Sequence, residues 1–486
     1  MFPLQTPTLR GSNLANPAKP APAPRPAFYL TLAFVFVVYA RVPEIMDMVT
    51  GAALHSARAI MALSLIAMLL FGGNLRAIFS KVGICLIAFT LWICVCTPFS
   101  IWRGGSARVL KDFWLLALFS FAIIAATVQG LEQCRKLMYT LAAATAFIEV
   151  FTLMLGRVQG GRMALLGGTL GNANYLAMML LMGVPFCLFV LRTRMGMSPL
   201  KLASLLMLLC IPVTVAATGS RGGLVTLAVM FLLYFVPLPS GQKMVVAIAA
   251  LILAVIAITW STRSALDRYK TIFASSGEVR LSDSEKSAID SMGLRKELLM
   301  SSLQLSMRHP LFGVGPGMFS VANASFVEEL TGRANWNAWH ETHNTFTQVS
   351  CEDGLPGLFL YCLTLLFCFK IVFSAKKLAR QNPALSTLGH MAFALQLALI
   401  AFTGTSIFAS NAYAYYFPML AGLCVALERA CADQASSIRA ASQPAQASLP
   451  AAGAFARPRP AALAGSRAIS WNRPASGSTD VPPLRP

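Results

Sequence analysis

The chain has 486 residues, of which 56% are hydrophobic and only 12% are charged, and its formal net charge is +20. Soluble domains carry about 25% charged residues, so this composition excludes a water-soluble globular protein. The segment between Ser261 and Asn344 holds equal numbers of basic and acidic residues, so the basic excess lies elsewhere, in short loops and tails. Charge placed in this way is typical of membrane flanks that contact lipid headgroups, and it argues against nucleic-acid binding.

Apolar stretches of about 20 residues recur along the chain and predict membrane-spanning helices. Residues 1–26 are rich in Pro and Ala and are predicted to be disordered. The first apolar run follows basic residues and has no clear small-x-small cleavage site after it, so we interpret it as a retained signal anchor. About twelve spans are predicted, at residues 28–40, 57–72, 82–99, 113–129, 137–155, 173–191, 200–217, 222–238, 244–260, 354–374, 388–408 and 411–428.

These spans divide the chain into five parts. They are a cytoplasmic N-terminal tail (1–26), nine spans (27–260), a long polar loop (261–344), three spans (345–428) and an Ala/Pro/Ser/Arg-rich tail predicted to be disordered (429–486). The short loops on one side contain more Lys and Arg, which places that side and both termini in the cytoplasm. The 261–344 loop, the 156–172 loop and the 218–223 turn then share the opposite face.

Two of these segments offer cations. Arg221 lies in the turn Thr218-Gly-Ser-Arg-Gly-Gly223, and its planar guanidinium suits a pair of phosphate oxygens. An interfacial arginine that reaches lipid headgroups is an equally good interpretation. Residues 293–308 carry apolar side chains at helical spacing, which predicts an amphipathic helix on the membrane surface. Arg295 lies in its first turn and Arg308 at its end, and either could simply be solvated.

The downstream end of the polar loop carries histidines. His340 and His343 are three residues apart, and a histidine there can titrate near neutral pH and move a proton. Their spacing is not that of the HExxH zinc motif and no third ligand is obvious, so no metal is expected. A capping or interfacial role for His343 remains an alternative. The carboxylates Glu149, Glu352 and Asp353 lie in or beside apolar runs and should face the protein interior or a water-filled cavity.

A family resemblance follows from these motifs. His343-Asn344, nine residues, Gly354, two residues and Gly357 resemble the HN-x9-GxxG pattern of O-antigen ligases and the related O-antigen polymerases. His309-Pro-Leu-Phe-Gly-Val-Gly-Pro-Gly317 is similar to the loop segment of that superfamily, and Arg295 matches the arginine that opens its loop helix. Thr218–Gly223, Arg162 and the GGTLGNAN segment ending at Asn174 resemble further signatures, so the resemblance covers about residues 156–360.

The resemblance implies an all-α polytopic membrane protein, GT-C-like, with a helical periplasmic loop, in the bacterial inner membrane. It implies a metal-independent, inverting glycosyl transfer at the periplasmic face, with no cofactor, from a glycan on undecaprenyl pyrophosphate. The expected partners are that donor, a glycan or lipid A-core acceptor, and membrane lipids, with no nucleic acid. The expected catalytic residues are His343, Arg221 and Arg295, and the expected substrate-binding residues are Arg162, Asn174, Arg308, His340 and Asn344.

Three activities of the superfamily share this core: ligation to lipid A-core, polymerisation of lipid-linked repeats, and oligosaccharide transfer to protein hydroxyls. The completeness of the loop motif favours a ligase, narrowly over a polymerase. A transporter of lipid-linked sugars is the alternative from another class. Transporters place charged residues at the bilayer midplane in repeated, broken helices, whereas this chain concentrates its polar groups in one loop.

Overall fold

The computed structural model describes residues 26–51, 56–165, 167–193, 196–270, 283–332 and 339–442. Most of both predicted disordered tails, and parts of the long polar loop, lie outside the described residues. Within the described part, α-helices make up nearly all of the regular structure. In chain order they are α1 (Pro26–Tyr39), α2 (Val42–Thr50), α3 (Ser56–Leu70), α4 (Lys81–Cys96), α5 (Arg103–Val109), α6 (Leu115–Thr127), α7 (Gly130–Leu155), α8 (Ala173–Thr193), α9 (Pro199–Ala217), α10 (Arg221–Phe235), α11 (Ser240–Trp260), α12 (Arg263–Lys270), α13 (Asp283–Arg308), α14 (Phe319–Thr331), α15 (Thr345–Glu352), α16 (Gly354–Gln381), α17 (Ser386–Ser406) and α18 (Tyr416–Ser442).

Each predicted span coincides with a helix. Within the described residues, eight helical segments of 19 to 28 residues are long and apolar enough to cross a membrane, and the pair α1–α2, bent by 57°, would make nine. The apolar helices α3 and α10 are shorter, so the predicted count of twelve is not established. The helix α11 has no buried residue although it is apolar over most of its length, and such a surface is stable only against lipid or a partner.

The helix α8 lies at the centre of the bundle and packs against α7, α9 and α17. Gly183 permits the approach of α7, because a Cβ atom there would lie 2.0 Å from Oγ1 of Thr145. Small residues serve the same purpose in membrane bundles generally, where close backbone packing replaces the hydrophobic effect between helices. On the other side of α17, α16 packs between α17 and α4.

The long loop folds over one end of the bundle around its own apolar cluster. That cluster joins α13, the glycine-rich loop before α14, α14 itself and the end of α15, and it contains Leu298, Leu305, Val314, Met318, Phe319, Ala322, Phe326 and Cys351. The helix α13 begins at Asp283, ten residues before the predicted start. The predicted apolar stripe is divided, because Leu298 is buried whereas Leu299, Leu303 and Met307 are exposed. The buried face of α13 is completed by Ser302 and Ser306, which the apolar pattern did not show.

Two further features differ from the prediction. A short antiparallel hairpin interrupts the all-α fold, with β1 at Arg157–Gln159 and β2 at Arg162–Ala164. Its turn is Gly160-Gly161, and both residues have positive φ, as tight two-residue hairpins require. The helix α18 continues to Ser442, so the first part of the predicted C-terminal tail is helical; this stretch is rich in alanine, which favours helix.

Candidate active site

Two neighbouring cavities open at the end of the bundle that the long loop covers. The first, here called the arginine cavity, has a volume of about 460 Å³ and is lined by Gln159, Arg162, Ala164, Gly171, Asn172, Ala173, Asn174, Ser291, Leu294, Arg295 and His343. The second, here called the tyrosine cavity, has a volume of about 820 Å³ and its lining includes Arg41, Glu44, Asp112, Asn172, Tyr175, Glu341, Thr342, Glu352, Tyr413, Tyr415 and Tyr416. Asn172 contributes to both, so the two cavities adjoin.

His343 lies at the boundary between the cavities. Its own side chain lines the arginine cavity, whereas the preceding residues Glu341 and Thr342 line the tyrosine cavity. Its backbone is left-handed, with φ of 52°, a conformation that is rare for a residue with a side chain and is often found at functional sites. The strained turn is held by Ser410, whose hydroxyl accepts a hydrogen bond of 2.9 Å from the backbone N–H of His343.

The imidazole of His343 is held neutral. Burial is the main cause, and the positive charge of Arg295 and the proximity of His340 add to it; together they lower the pKa of His343 to about 4. At neutral pH the ring therefore carries no charge and has a free nitrogen that accepts a proton. An anion bound beside Arg295 would offset the arginine charge and make the imidazole more basic.

Arg162 connects the turn that carries Arg221 to the start of α8. Its Nε donates a 2.9 Å hydrogen bond to the carbonyl oxygen of Thr218, and its Nη2 donates a 2.7 Å bond to Oδ1 of Asn174. Thr218 opens the turn in which Ser220 caps α10 by accepting from the N–H of Gly223, and Arg221 is the first residue of that helix. The structure thus brings Arg162, Asn174, Arg295 and His343 together, with the Arg221 turn bonded to Arg162.

Four predicted residues line neither cavity, and the first is Arg221, whose turn is joined to the arginine cavity through Arg162. Asn344 caps α15, because its Oδ1 accepts hydrogen bonds from the backbone N–H groups of Phe346 (2.9 Å) and Thr347 (3.1 Å). Arg308 is exposed, pairs with Glu329 at 3.0 Å and lies over the ring of Phe326. His340 is partly exposed, and its charge contributes to the lowered pKa of His343.

The glycine-rich loop before α14 packs against the end of α15, directly before the second glycine motif, Gly354–Gly357. The N–H of Val314 donates to the carbonyl of Cys351 (2.8 Å), and the N–H of Gly315 donates to the carbonyl of Glu352 (3.0 Å). Gly313 has φ of 64°, and a Cβ atom there would lie 2.3 Å from the Glu352 backbone. A side chain at this position would separate the loop from the end of α15, the short helix that follows His343.

A buried carboxylate stabilises the same contact between the glycine-rich loop and the end of α15. Glu352 accepts hydrogen bonds from the backbone N–H groups of Gly317 (3.0 Å) and Phe319 (3.1 Å). Burial raises the pKa of Glu352 to about 7, and these hydrogen bonds act in the opposite direction. Its neighbour Asp353 accepts a 2.9 Å hydrogen bond from the hydroxyl of Tyr413. Both carboxylates face the interior, and Glu352 lines the tyrosine cavity, as expected for charged groups beside apolar spans.

Sequence reasoning missed most of the tyrosine cavity. Arg41 has φ of 53°, forms an ion pair with Glu44 and lies over the ring of Tyr415 at 5.0 Å. The hydroxyl of Tyr175 lies 3.1 Å from Oε2 of Glu341. The available signals were the charged residues directly after the first apolar run and the tyrosines at the start of the last predicted span. Neither indicates a shared site by itself.

Comparison with known proteins finds a family match over part of this region. Residues 202–362 match the family model described as O-antigen ligase. The match begins in α9 and ends in α16, so it includes Arg221, Arg295, His343 and both glycine motifs, but not Arg162 or Asn174. No curated protein sequence matches the chain.

Proposed function

We propose that this member of the O-antigen ligase and polymerase superfamily moves a glycan from undecaprenyl pyrophosphate to an acceptor hydroxyl, with His343 as general base. The observation that carries the proposal is the position of a neutral, strained His343 between a cavity with arginines and a second, larger cavity. A bimolecular transfer suits such an arrangement, because the acceptor hydroxyl must reach both the base and the anomeric carbon of the donor.

The proposed reaction is a single displacement. The acceptor oxygen forms a bond to the anomeric carbon while the bond from that carbon to the pyrophosphate oxygen breaks, and the acceptor proton moves to His343. The pyrophosphate takes the bonding electrons and needs no protonation, because it is already a stable anion. Fixed cations stabilise its developing charge, and Arg295 and Arg221, supported by Arg162, supply them without a metal.

The related activities of the superfamily differ in the molecule that accepts the glycan. We propose ligation to lipid A-core or a similar glycan, with repeat-unit polymerisation and transfer to protein hydroxyls as the alternatives within the superfamily. A transporter of lipid-linked sugars is the competing class. Against it, the polar groups gather around the two cavities that the long loop covers.

Reconstitution distinguishes these possibilities. The purified protein in nanodiscs is given a glycan on undecaprenyl pyrophosphate together with lipid A-core, a second lipid-linked glycan, or an acceptor protein. Release of undecaprenyl pyrophosphate coupled to glycosylation of one acceptor supports the proposal and names the activity. Movement of intact donor across a liposome, without transfer to any acceptor, would instead support transport.

We further propose that the catalytic end of the bundle faces the periplasm, with both termini in the cytoplasm. The motivation is the bias of Lys and Arg in the short loops. A reporter that is active only outside the cytoplasm is expected to be active when fused at Glu328 in α14 and inactive when fused in the C-terminal tail. A cytoplasmic reporter that is active at Glu328 would contradict the proposed location of the site.

A further inference from the structure

The two cavities differ in charge. Among the described residues, the charged side chains that line the arginine cavity are Arg162 and Arg295, and no acidic side chain lines it. The tyrosine cavity has one arginine, Arg41, and four carboxylates, of which Glu44 pairs with Arg41 and Asp112 pairs with Arg58. A cationic cavity suits a pyrophosphate, whereas an acidic cavity repels one, so the two cavities are suited to different molecules.

The positive charge of Arg41 is neutralised by an ion pair within the tyrosine cavity. Arg41 forms an ion pair with Glu44 and donates a hydrogen bond to the hydroxyl of Tyr416. Glu44 in turn accepts a 3.0 Å hydrogen bond from the backbone N–H of Thr169. This pair is therefore a fixed part of the wall and adds no net charge.

Glu341 has a different environment. Its side chain is exposed to the cavity, its described partner is the hydroxyl of Tyr175, and no ion pair joins it to an arginine or lysine within the described residues. It lies two residues before His343 in the chain. A hydroxyl-bearing molecule that hydrogen-bonds to Glu341 therefore lies on the tyrosine-cavity side of the base.

A cavity with an exposed carboxylate is well suited to a sugar. Sugar hydroxyls donate hydrogen bonds to carboxylate oxygens. A phosphate or carboxylate on the sugar would face like charge, and like charges close together near a protein surface weaken binding by about tenfold or more.

We infer that the tyrosine cavity receives the acceptor and selects a terminal acceptor sugar that carries no negative charge, with Glu341 as the residue that rejects anionic acceptors. This inference rests on the proposed function and adds to it the chemical class of the acceptor. Glu341 is a binding residue in this account and takes no part in proton transfer.

The test compares two forms of the acceptor that the reconstituted protein glycosylates, one unmodified and one with its terminal sugar phosphorylated. For the wild-type protein, the KM of the phosphorylated form is expected to be about tenfold higher or more. Glu341→Gln keeps the hydrogen-bond acceptor for Tyr175 and removes the charge, so it should bring the ratio of the two KM values, phosphorylated over unmodified acceptor, closer to one. Glu341→Lys should make the KM of the phosphorylated form the lower of the two. The KM of the donor should stay unchanged in both variants.

Glu328→Lys is the matched control, because Glu328 is an exposed carboxylate on α14 that lines neither cavity. It should leave the ratio at the wild-type value. Equal KM values for the two acceptor forms, or a ratio that changes as much in Glu328→Lys as in Glu341→Lys, would overturn the inference and leave the proposed function standing. Absence of transfer to every acceptor would overturn both.

Discussion

Replacing His343 with Gln or Ala is expected to lower the rate of glycan transfer by about 10²–10⁴-fold, the usual effect of losing a general base. Donor affinity should remain close to that of the wild type, because the arginines proposed to hold the pyrophosphate are unchanged. Rate and donor affinity are measured separately on the reconstituted protein, with and without a chelator. The chelator should change neither quantity, and a loss of activity in its presence would indicate a metal.

His340→Ala is the matched control for this variant. His340 is partly exposed and lines neither cavity, so its removal should cost much less than the removal of His343. Transfer at the wild-type rate by His343→Gln, or equal losses in the two variants, would remove His343 as the base.

The pH dependence of the wild-type protein follows from the same group. Because the pKa of His343 is lowered to about 4, the acid limb of kcat/KM, which reports the free enzyme, should fall well below the ordinary histidine range. The acid limb of kcat, which reports the loaded enzyme, should lie at higher pH, because a pyrophosphate bound beside Arg295, as proposed, would stabilise the imidazolium. The same pKa difference also affects folding stability. The pKa of His343 is about 6.5 in the unfolded chain and about 4 in the folded one, so between these values the unfolded chain binds more protons. The free energy of unfolding should therefore decrease as pH falls from about 6.5 to about 4.

Removing either of the two proposed pyrophosphate ligands is expected to have the next largest effect. Arg295→Ala and Arg221→Ala should each lower transfer by about 10²–10³-fold at saturating donor, as expected when a fixed donor to developing negative charge is lost. Substitution by Lys should restore only part of the rate, because an ammonium group lacks the paired donors of a guanidinium. Initial rates and donor binding are compared for all four variants.

Arg308→Ala is the control that the structure supplies. Arg308 lies on the same helix as Arg295, but it is exposed and paired with Glu329, so its loss should leave transfer nearly unchanged. Arg295→Ala should also move the acid limb of kcat/KM to higher pH, because the arginine charge contributes to the low pKa of His343. Near-normal turnover by both Arg295→Ala and Arg221→Ala would contradict pyrophosphate binding by these arginines and would favour a role in contacting lipid headgroups.

The sequence predicted the helices well, because an apolar run of about 20 residues has few other stable structures. It predicted the long loop for the same reason, since a polar stretch between spans must lie outside the bilayer. The number of spans was less well determined. The bend at Arg41 and the short helices α3 and α10 depend on packing, which hydropathy does not report.

The candidate site was predicted in part. Arg295 and His343 do meet, because α13 and α15 pack together around the loop cluster. Arg308 follows Arg295 on the same helix, but the two arginines face different surroundings, and only the packing of α13 distinguishes them. Asn344 was expected to bind substrate, whereas its side-chain oxygen caps α15.

The tyrosine cavity shows why the remainder was not predicted. Its walls come from the break between α1 and α2, the π-helical turn at Leu110–Trp114, the start of α8, the loop helices and the α17–α18 connection. No periodic pattern links residues as distant as Arg41 and Tyr416, and each is unremarkable in its own segment. Only the assembly of the bundle brings them together.

The stereochemistry of the new glycosidic bond tests the central claim most directly. One displacement, with the acceptor activated by His343 and the pyrophosphate leaving from the arginine cavity, must invert the configuration at the anomeric carbon. The product of the reconstituted reaction is analysed by NMR, with a donor of known anomeric configuration. We predict the opposite configuration in the product. Retention of the donor configuration would require two displacements through a covalent intermediate and would contradict the proposed role of His343.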